Sequence, residues 1–189
     1  MALLMAATQS KVWTLEEVHS LPDDGNKYEL IRGELFVTPP PTDDHETISA
    51  RLTRLLDPFV AANGLGYVYH PRAVMRFQRS EVEPDLMVRT SHPKPSEGWD
   101  SAPLPSLIVE IASPTTRRRD REQKRQLYLD ARVPEYWIVD PEQRSITVVR
   151  PGDRDHSECE QIVWAPPGTA AQLTLQLSDI FGQLSPGTC

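Results

Sequence analysis

The sequence predicts an α/β (α+β) fold, a mixed central β-sheet flanked by helices, and three observations carry that expectation. Leu107-Ile108-Val109-Glu110-Ile111-Ala112 is an almost unbroken apolar run, typical of a strand buried on both faces. Between Asp44 and Asn63, the residues Ile48, Leu52, Leu55, Leu56 and Phe59 fall three or four apart and make one helical face. Tyr136-Trp137-Ile138-Val139 and Ile146-Thr147-Val148-Val149 flank Pro141-Glu142-Gln143-Arg144, two strands around a turn.

The remaining elements follow in chain order. Thr14-Leu15-Glu16-Glu17 reads as a capping box, with Thr14 as N-cap and Glu17 three residues on, opening a short helix. In Tyr28-Glu29-Leu30-Ile31-Arg32-Gly33-Glu34-Leu35-Phe36-Val37, apolar residues flank a central Arg-Gly, so a hairpin is expected, with Gly33 required by its turn. Pro39-Pro40-Pro41 ends it. In the helix that follows, Pro58 is expected to kink or terminate the element and Gly64 to stop it. Residues 74–77 and 82–88 read as two antiparallel strands around a polar turn. Four prolines between His92 and Pro105 mark a surface loop. A helix is expected from about Asp120 to Ala131, and short strands in residues 161–164 and 172–177.

Composition bounds the function. A chain of 189 residues with 39% hydrophobic and 25% charged residues fits one soluble globular domain, expected over residues 14–182, between a flexible segment 1–13 and a tail 183–189. No apolar run approaches the roughly 20 residues that span a bilayer, so no membrane association is expected. Met1 to Ala7 is apolar but has no basic leader or cleavage site, and reads as a loose start rather than a signal peptide. Two cysteines, Cys159 and Cys189, imply no disulfide framework, which makes the cytoplasm the expected location. The net charge of −7 gives no whole-domain attraction to nucleic acid. Any contact with DNA phosphate has to be local, and Arg117, Arg118 and Arg121 are its candidates, against the alternative of a solvated helix face.

Glu110 is the most informative residue. A carboxylate inside a buried strand is costly unless it is paired, protonated or bound to a cation. Period-two geometry puts Ile108, Glu110 and Ala112 on one side of that strand. Asp85 poses the same problem in Pro84-Asp85-Leu86-Met87-Val88, and if the two strands are neighbours both acids converge at one point. Two such carboxylates attract a hard divalent cation, magnesium or manganese. The alternative is that Glu110 pairs with an arginine of the basic helix. On that helix Asp120, Lys124, Leu127, Tyr128 and Ala131 share the face turned to the sheet, while the preceding basic run lies on other, wetter faces. Lys124 therefore either lies near the carboxylates or snorkels from the core edge. Trp137 and Tyr136 are expected in the core. His156 and Cys159 have a metal-like spacing, but no partner pair follows.

Pro84-Asp85 followed by Glu110-Ile111-Ala112 resembles the signature of the PD-(D/E)XK nuclease superfamily. More closely, the chain is similar to the Uma-type (Uma-two) restriction-endonuclease-like family over about Thr14 to Phe181. The likeness is carried by Tyr28-Glu29-Leu30-Ile31-Arg32-Gly33-Glu34-Leu35, His45, Pro84-Asp85-Leu86 and Val109-Glu110-Ile111-Ala112-Ser113-Pro114. Arg119-Asp120, Lys124, Tyr128 and the specific block Val133-Pro134-Glu135-Tyr136-Trp137-Ile138-Val139-Asp140 complete it.

The resemblance implies a restriction-endonuclease-like core, with metal held at Asp85 and Glu110. The superfamily's lysine stands two residues after the glutamate, where this chain has Ala112. Either Lys124 takes over from the helix, which its helical facing favours, or the site is catalytically weak. Glu34 is the expected third acid, ahead of Glu29. His45 contacts phosphate, assists proton transfer or caps the next helix. The reading is a magnesium-dependent endonuclease hydrolysing DNA, with a homodimer expected if both strands are cut. The rival is a non-catalytic binding module of the same fold that retains its metal site.

Overall fold

The computed structural model describes residues 11–183, so the loose start and Cys189 lie outside the described residues. Helix α1 (Leu15–His19) begins with the expected capping box, Thr14 and Glu17 exchanging side-chain and backbone hydrogen bonds. Strands β1 (Lys27–Ile31) and β2 (Glu34–Thr38) form the expected hairpin, with Arg32 and Gly33 both at positive φ, 54° and 88°. Such a two-residue turn matches the twist of paired strands, and glycine adopts it without penalty.

Helix α2 (Asp43–Ala62) continues through Pro58, so the proline does not end it. Pro58 and Arg54 both lie on the exposed side, so the carbonyl deprived of its N–H partner is turned to water. Ile48, Leu52, Leu56 and Val60 are buried on the opposite side.

The second sheet-forming stretch differs from expectation. β4 (Met75–Phe77) pairs with β5 (Ser80–Val82), but Glu83-Pro84 breaks the chain before β6 (Leu86–Arg89), which joins another sheet. Proline donates no ladder hydrogen bond, so the run from Val82 to Val88 becomes two strands.

The described residues form three sheets. Four antiparallel strands run in the order β2-β1-β5-β4, and a six-stranded mixed sheet runs β10-β9-β8-β7-β6-β3. In the latter, β7 (Leu107–Ile111) is parallel to β8 (Tyr136–Asp140), while β6, β9 (Ser145–Val149), β3 (Tyr67–Tyr69) and β10 (His156–Glu158) pair antiparallel. β11 (Gln161–Trp164) and β12 (Leu173–Gln176) form a separate hairpin, followed by α5 (Leu177–Phe181). The central strands β6 to β9 are buried on both faces, as the run at β7 requires, while β3 and β10 at the edges are more exposed. One face, with Leu107, Val109, Ile111 and Trp137, packs on α2, α5 and the last hairpin; the other, with Ile108, Ala112, Tyr136 and Ile138, packs on the four-stranded sheet and α4 (Arg125–Asp130).

The crossover from β7 to β8 is helical, as a parallel pair needs. It starts three residues earlier than expected, at α3 (Arg117–Arg119), because Ser113 and Thr116 exchange hydrogen bonds and organise the turn before it. A π-helical stretch, Asp120–Lys124, links α3 to α4 and buries both its end residues. Among the described residues, no helix is long and apolar enough to cross a membrane.

Gly66 locks the entry to β3. Its φ is 108°, and a Cβ there would lie 2.0 Å from the Arg89 carbonyl oxygen and 2.6 Å from Thr90 Cα. Neither backbone atom can retreat without breaking the β3–β6 ladder. Gly66→Ala is therefore expected to cost at least about 2 kcal/mol, read as a fall in midpoint in chemical denaturation.

Candidate active site

Asp85 stands at the mouth of β6 and Glu110 near the carboxyl end of β7. The two strands are antiparallel neighbours with Leu86 opposite Val109, so one further step brings Asp85 beside Glu110. The Ile111 N–H donates to Asp85 Oδ2 at 2.8 Å, fixing the carboxylate against its neighbouring strand. His45, in the first turn of α2, brings Nε2 within 3.1 Å of the same oxygen. Thr42 caps that helix, so His45 is free of the capping role. Lys27, the first residue of β1, donates from Nζ to Asp85 Oδ1 at 3.2 Å and to the Glu83 carbonyl at 3.0 Å.

Behind Asp85 lies a buried layer. Lys124 is fully buried and its Nζ sits 2.8 Å from both Glu110 Oε1 and Glu29 Oε1. The Tyr128 hydroxyl donates to Glu110 Oε1 at 2.6 Å, and the Glu83 N–H donates to Glu29 Oε1 at 3.0 Å. Arg119 completes the layer, with Nη2 2.9 Å from Thr38 Oγ1 and 3.4 Å from Glu29 Oε2. Glu110 thus has Oε1 committed, whereas Oε2 accepts no hydrogen bond among the described residues.

Charge follows from this geometry. Burial pushes the Asp85 carboxyl up, but Lys27, His45 and Lys124 outweigh it and hold Asp85 well below the usual carboxylate range. Glu29 behaves alike: burial raises it, Lys124, Lys27 and Arg119 lower it further, and it stays ionised. Glu110 goes the other way, to about 7, because burial outweighs Lys124 and the negative Asp85 adds to the rise. Burial pulls the His45 imidazole down, but Asp85 outweighs it and the ring gains basicity. Asp120 is raised, chiefly by burial, against Lys124 and Arg119.

The sequence candidates thus divide. Asp85, Glu110, Lys124 and His45 are brought together. Glu34 is not: it is exposed on β2, with only the Gln123 side-chain amide at 3.4 Å. The physical reason is sheet position, since β2 is an edge strand and β1 an interior one, so Glu29 rather than Glu34 is buried in the cluster. Arg117 and Arg121 turn onto the buried Asp140 at the end of β8, at 3.3 and 3.1 Å, and the exposed Arg118 pairs with Glu122. None of the three lines the cavity, whereas Arg119, assigned to a wet face, does. Lys27 and Tyr128 carry contacts that single residue types do not announce. The clue to Glu29 was its position next to Leu30-Ile31, two consecutive apolar residues that mark a strand buried on both faces.

The cluster opens on a cavity of about 590 Å³ lined by Lys27, His45, Asp85, Glu110, Arg119 and Asp120, with Pro39 to Pro41 and Ser113 to Thr116 as walls. A divalent cation fits the donor chemistry of two carboxylates. Among the described residues, no group of three or more acids, histidines or cysteines is placed to hold an ion. Asp85 and Glu110 both reach the cavity, and the uncommitted Glu110 Oε2 is a hard oxygen donor. Magnesium is commonly bound by one or two carboxylates, with water and substrate phosphate completing its coordination.

A mixed sheet that presents an aspartate and a glutamate from adjacent strands, backed by a helix lysine, defines a restriction-endonuclease-like domain. The chain belongs to the Uma2 family, described as "Putative restriction endonuclease", whose model matches residues 15–185. Its fold is similar to a solved structure from Anabaena variabilis, described as "a putative nuclease belonging to DUF820". That likeness has a TM-score of 0.74 at 22% sequence identity, and covers 89% of this chain and 97% of the other. No match was found among curated proteins.

Proposed function

We propose that this chain is a nuclease of the divalent-metal-dependent kind, hydrolysing phosphodiester bonds of DNA, with magnesium or manganese at Asp85 and Glu110. The observation that supports it most is the convergence of these two buried carboxylates on one cavity, with Glu110 Oε2 uncommitted. Family membership supports the nuclease class. A bound divalent ion supplies charge neutralisation on the phosphate and acidifies a water molecule.

The chain's own residues do the rest. The Ile111 N–H and His45 fix Asp85, while Lys124 and Tyr128 fix Glu110 through Oε1, so neither carboxylate has to be ordered when substrate arrives. His45, raised in basicity by Asp85, stands on the cavity wall where it can take up or give a proton. In the reaction, the oxygen of water bonds to phosphorus and gives up a proton to solvent as the ester P–O bond breaks, and the departing oxygen takes up a proton from solvent.

One observation favours a second reading, a non-catalytic module of the same fold: Ala112, which stands at the superfamily's lysine position, is core-packed and only 3% exposed. A cleavage assay separates the two. Plasmid and oligonucleotide DNA incubated with magnesium or manganese should be cut by the wild type, not after chelation, and at least about 10²-fold more slowly by Glu110→Ala. Cleavage that survives both chelation and Glu110→Ala would sink the metal-dependent assignment. Metal binding by calorimetry without any cleavage would favour the module.

A further inference from the structure

The two lysines of the site stand in different places, and this bears on which of them meets the substrate. Lys124 is fully buried, holds Glu29 and Glu110 at 2.8 Å each, and does not line the cavity. An ammonium group already shared by two carboxylates in the core cannot reach a phosphate without uncovering both. Lys27 lines the cavity, with its side chain 18% exposed. Its ammonium group has three donors. Two are engaged, on Asp85 Oδ1 and the Glu83 carbonyl, which leaves one without a partner among the described residues.

Resting on the nuclease reading, we propose that Lys27, and not Lys124, is the lysine that contacts the substrate phosphate. In the structure Lys27 holds Asp85 as a resident cation, and it turns to the phosphate once a divalent ion engages that carboxylate. Lys124 is a positioning residue that keeps Glu110 oriented through Oε1. The cavity-lining arginines are less suited, and His45 is held to Asp85 Oδ2. Arg119 is tied to Thr38 and Glu29, and Arg72 is an exposed side chain 3.5 Å from Asp23. Lys27 joins a flexible stem to immediate contact with Asp85. The arrangement also answers the absent lysine at position 112: β1, a strand of the other sheet, carries a lysine to the Asp85 side of the site.

This assignment makes metal and substrate respond in opposite directions. Lys27→Met removes the cation that competes for Asp85, so magnesium or manganese titrated calorimetrically should bind about fivefold to tenfold more tightly than to the wild type. The same variant should cut an oligonucleotide at least about 10²-fold more slowly in single turnover, and bind it more weakly with calcium in place of magnesium. Lys27→Arg keeps a charge and should recover part of the binding but little of the rate. Lys27→Met takes away the largest of the charges that hold buried Asp85 ionised, so its thermal unfolding should fall by several degrees, whereas Lys27→Arg, which keeps the charge, should stay nearer the wild type and separates loss of rate from loss of fold. Wild-type cleavage by Lys27→Met overturns the Lys27 assignment and leaves the nuclease reading standing. Metal binding that is unchanged or weaker overturns the resident-cation role. Tighter metal binding, in a protein whose wild type cuts no DNA, overturns the nuclease reading and with it the phosphate role of Lys27.

Discussion

Lys124→Met should be the most destabilising single substitution in the site, costing about 3–5 kcal/mol in chemical denaturation at neutral pH. The reason is not the loss of an ion pair as such, since a buried pair is weak evidence for net stability. It is what remains behind. Lys124 serves Glu29 and Glu110, both essentially inaccessible to solvent, and methionine fills similar volume but leaves two carboxylates without their shared cation. Tyr128 still donates to Glu110, and the Glu83 N–H to Glu29, but neither neutralises charge.

The pH dependence of that loss has a definite sign. In the wild type, Glu29 lies below its ordinary value, so it stabilises the fold above the unfolded carboxylate range and loses that contribution as pH falls. In the variant Glu29 loses the largest of the charges that lower it, and Glu110, already raised to about 7 in the wild type, loses the cation that opposes its rise, so both acids shift in the direction that costs stability as pH climbs above the unfolded carboxylate range. The difference between wild type and Lys124→Met should therefore be widest near pH 8 and should shrink towards pH 4. A difference that is flat across that range would mean that the two carboxylates are not what Lys124 stabilises.

The parts of this site that were legible in the sequence are those where a residue contradicts its own element. Glu110 stands out because five of the six residues in 107–112 are apolar, and Asp85 because it directly precedes the apolar run Leu86-Met87-Val88. Lys124 was legible by helical facing, because Leu127, Tyr128 and Ala131 fix which side of the helix is inside. That inference survived a π-helical stretch, which changes the local period but leaves Asp120 and Lys124 both buried.

What failed did so because it depended on sheet order. Glu29 and Glu34 stand on consecutive strands of one hairpin, and nothing in the hairpin tells which strand will be central. The decision is made by β5, a strand some fifty residues later, which pairs with β1 through Leu30 and Glu81 and so leaves β2 at the edge. The ion pairs of Arg117 and Arg121 were hidden for a related reason: their partner, Asp140, closes the strand on the far side of the crossover. Lys27 had no local signal at all, being a polar residue at the start of a strand, and only tertiary structure brings it to Asp85. That Pro58 does not end its helix was hidden because a proline's effect depends on whether its orphaned carbonyl faces water.

Asp85→Asn should abolish cleavage, with a fall of at least about 10³-fold under conditions where the wild type is saturated with magnesium, while leaving the fold intact. The substitution keeps the shape of the side chain but replaces an acceptor by a donor. Asp85 now receives the Ile111 N–H, Lys27 and the His45 side, and an amide cannot accept from all three. One donor is left facing an N–H of the amide. Lys27, which reaches solvent, can move away, and His45 can present an acceptor nitrogen by changing tautomer, so the stability cost should be held to about 1–2 kcal/mol.

The acid limb distinguishes this charge from a merely steric role. Because Asp85 is held well below its ordinary value near 3.9, its contribution to stability is complete above that pH and is lost progressively as pH falls towards its folded value. Denaturation midpoints of the wild type should therefore fall more steeply below pH 4 than those of Asp85→Asn, so that the two curves converge in acid. Calorimetry should show magnesium binding lost in the same variant. An Asp85→Asn protein that folds, converges in acid and yet cuts DNA at the wild-type rate would remove Asp85 from the chemistry and leave it a structural anchor between β6, β7 and α2.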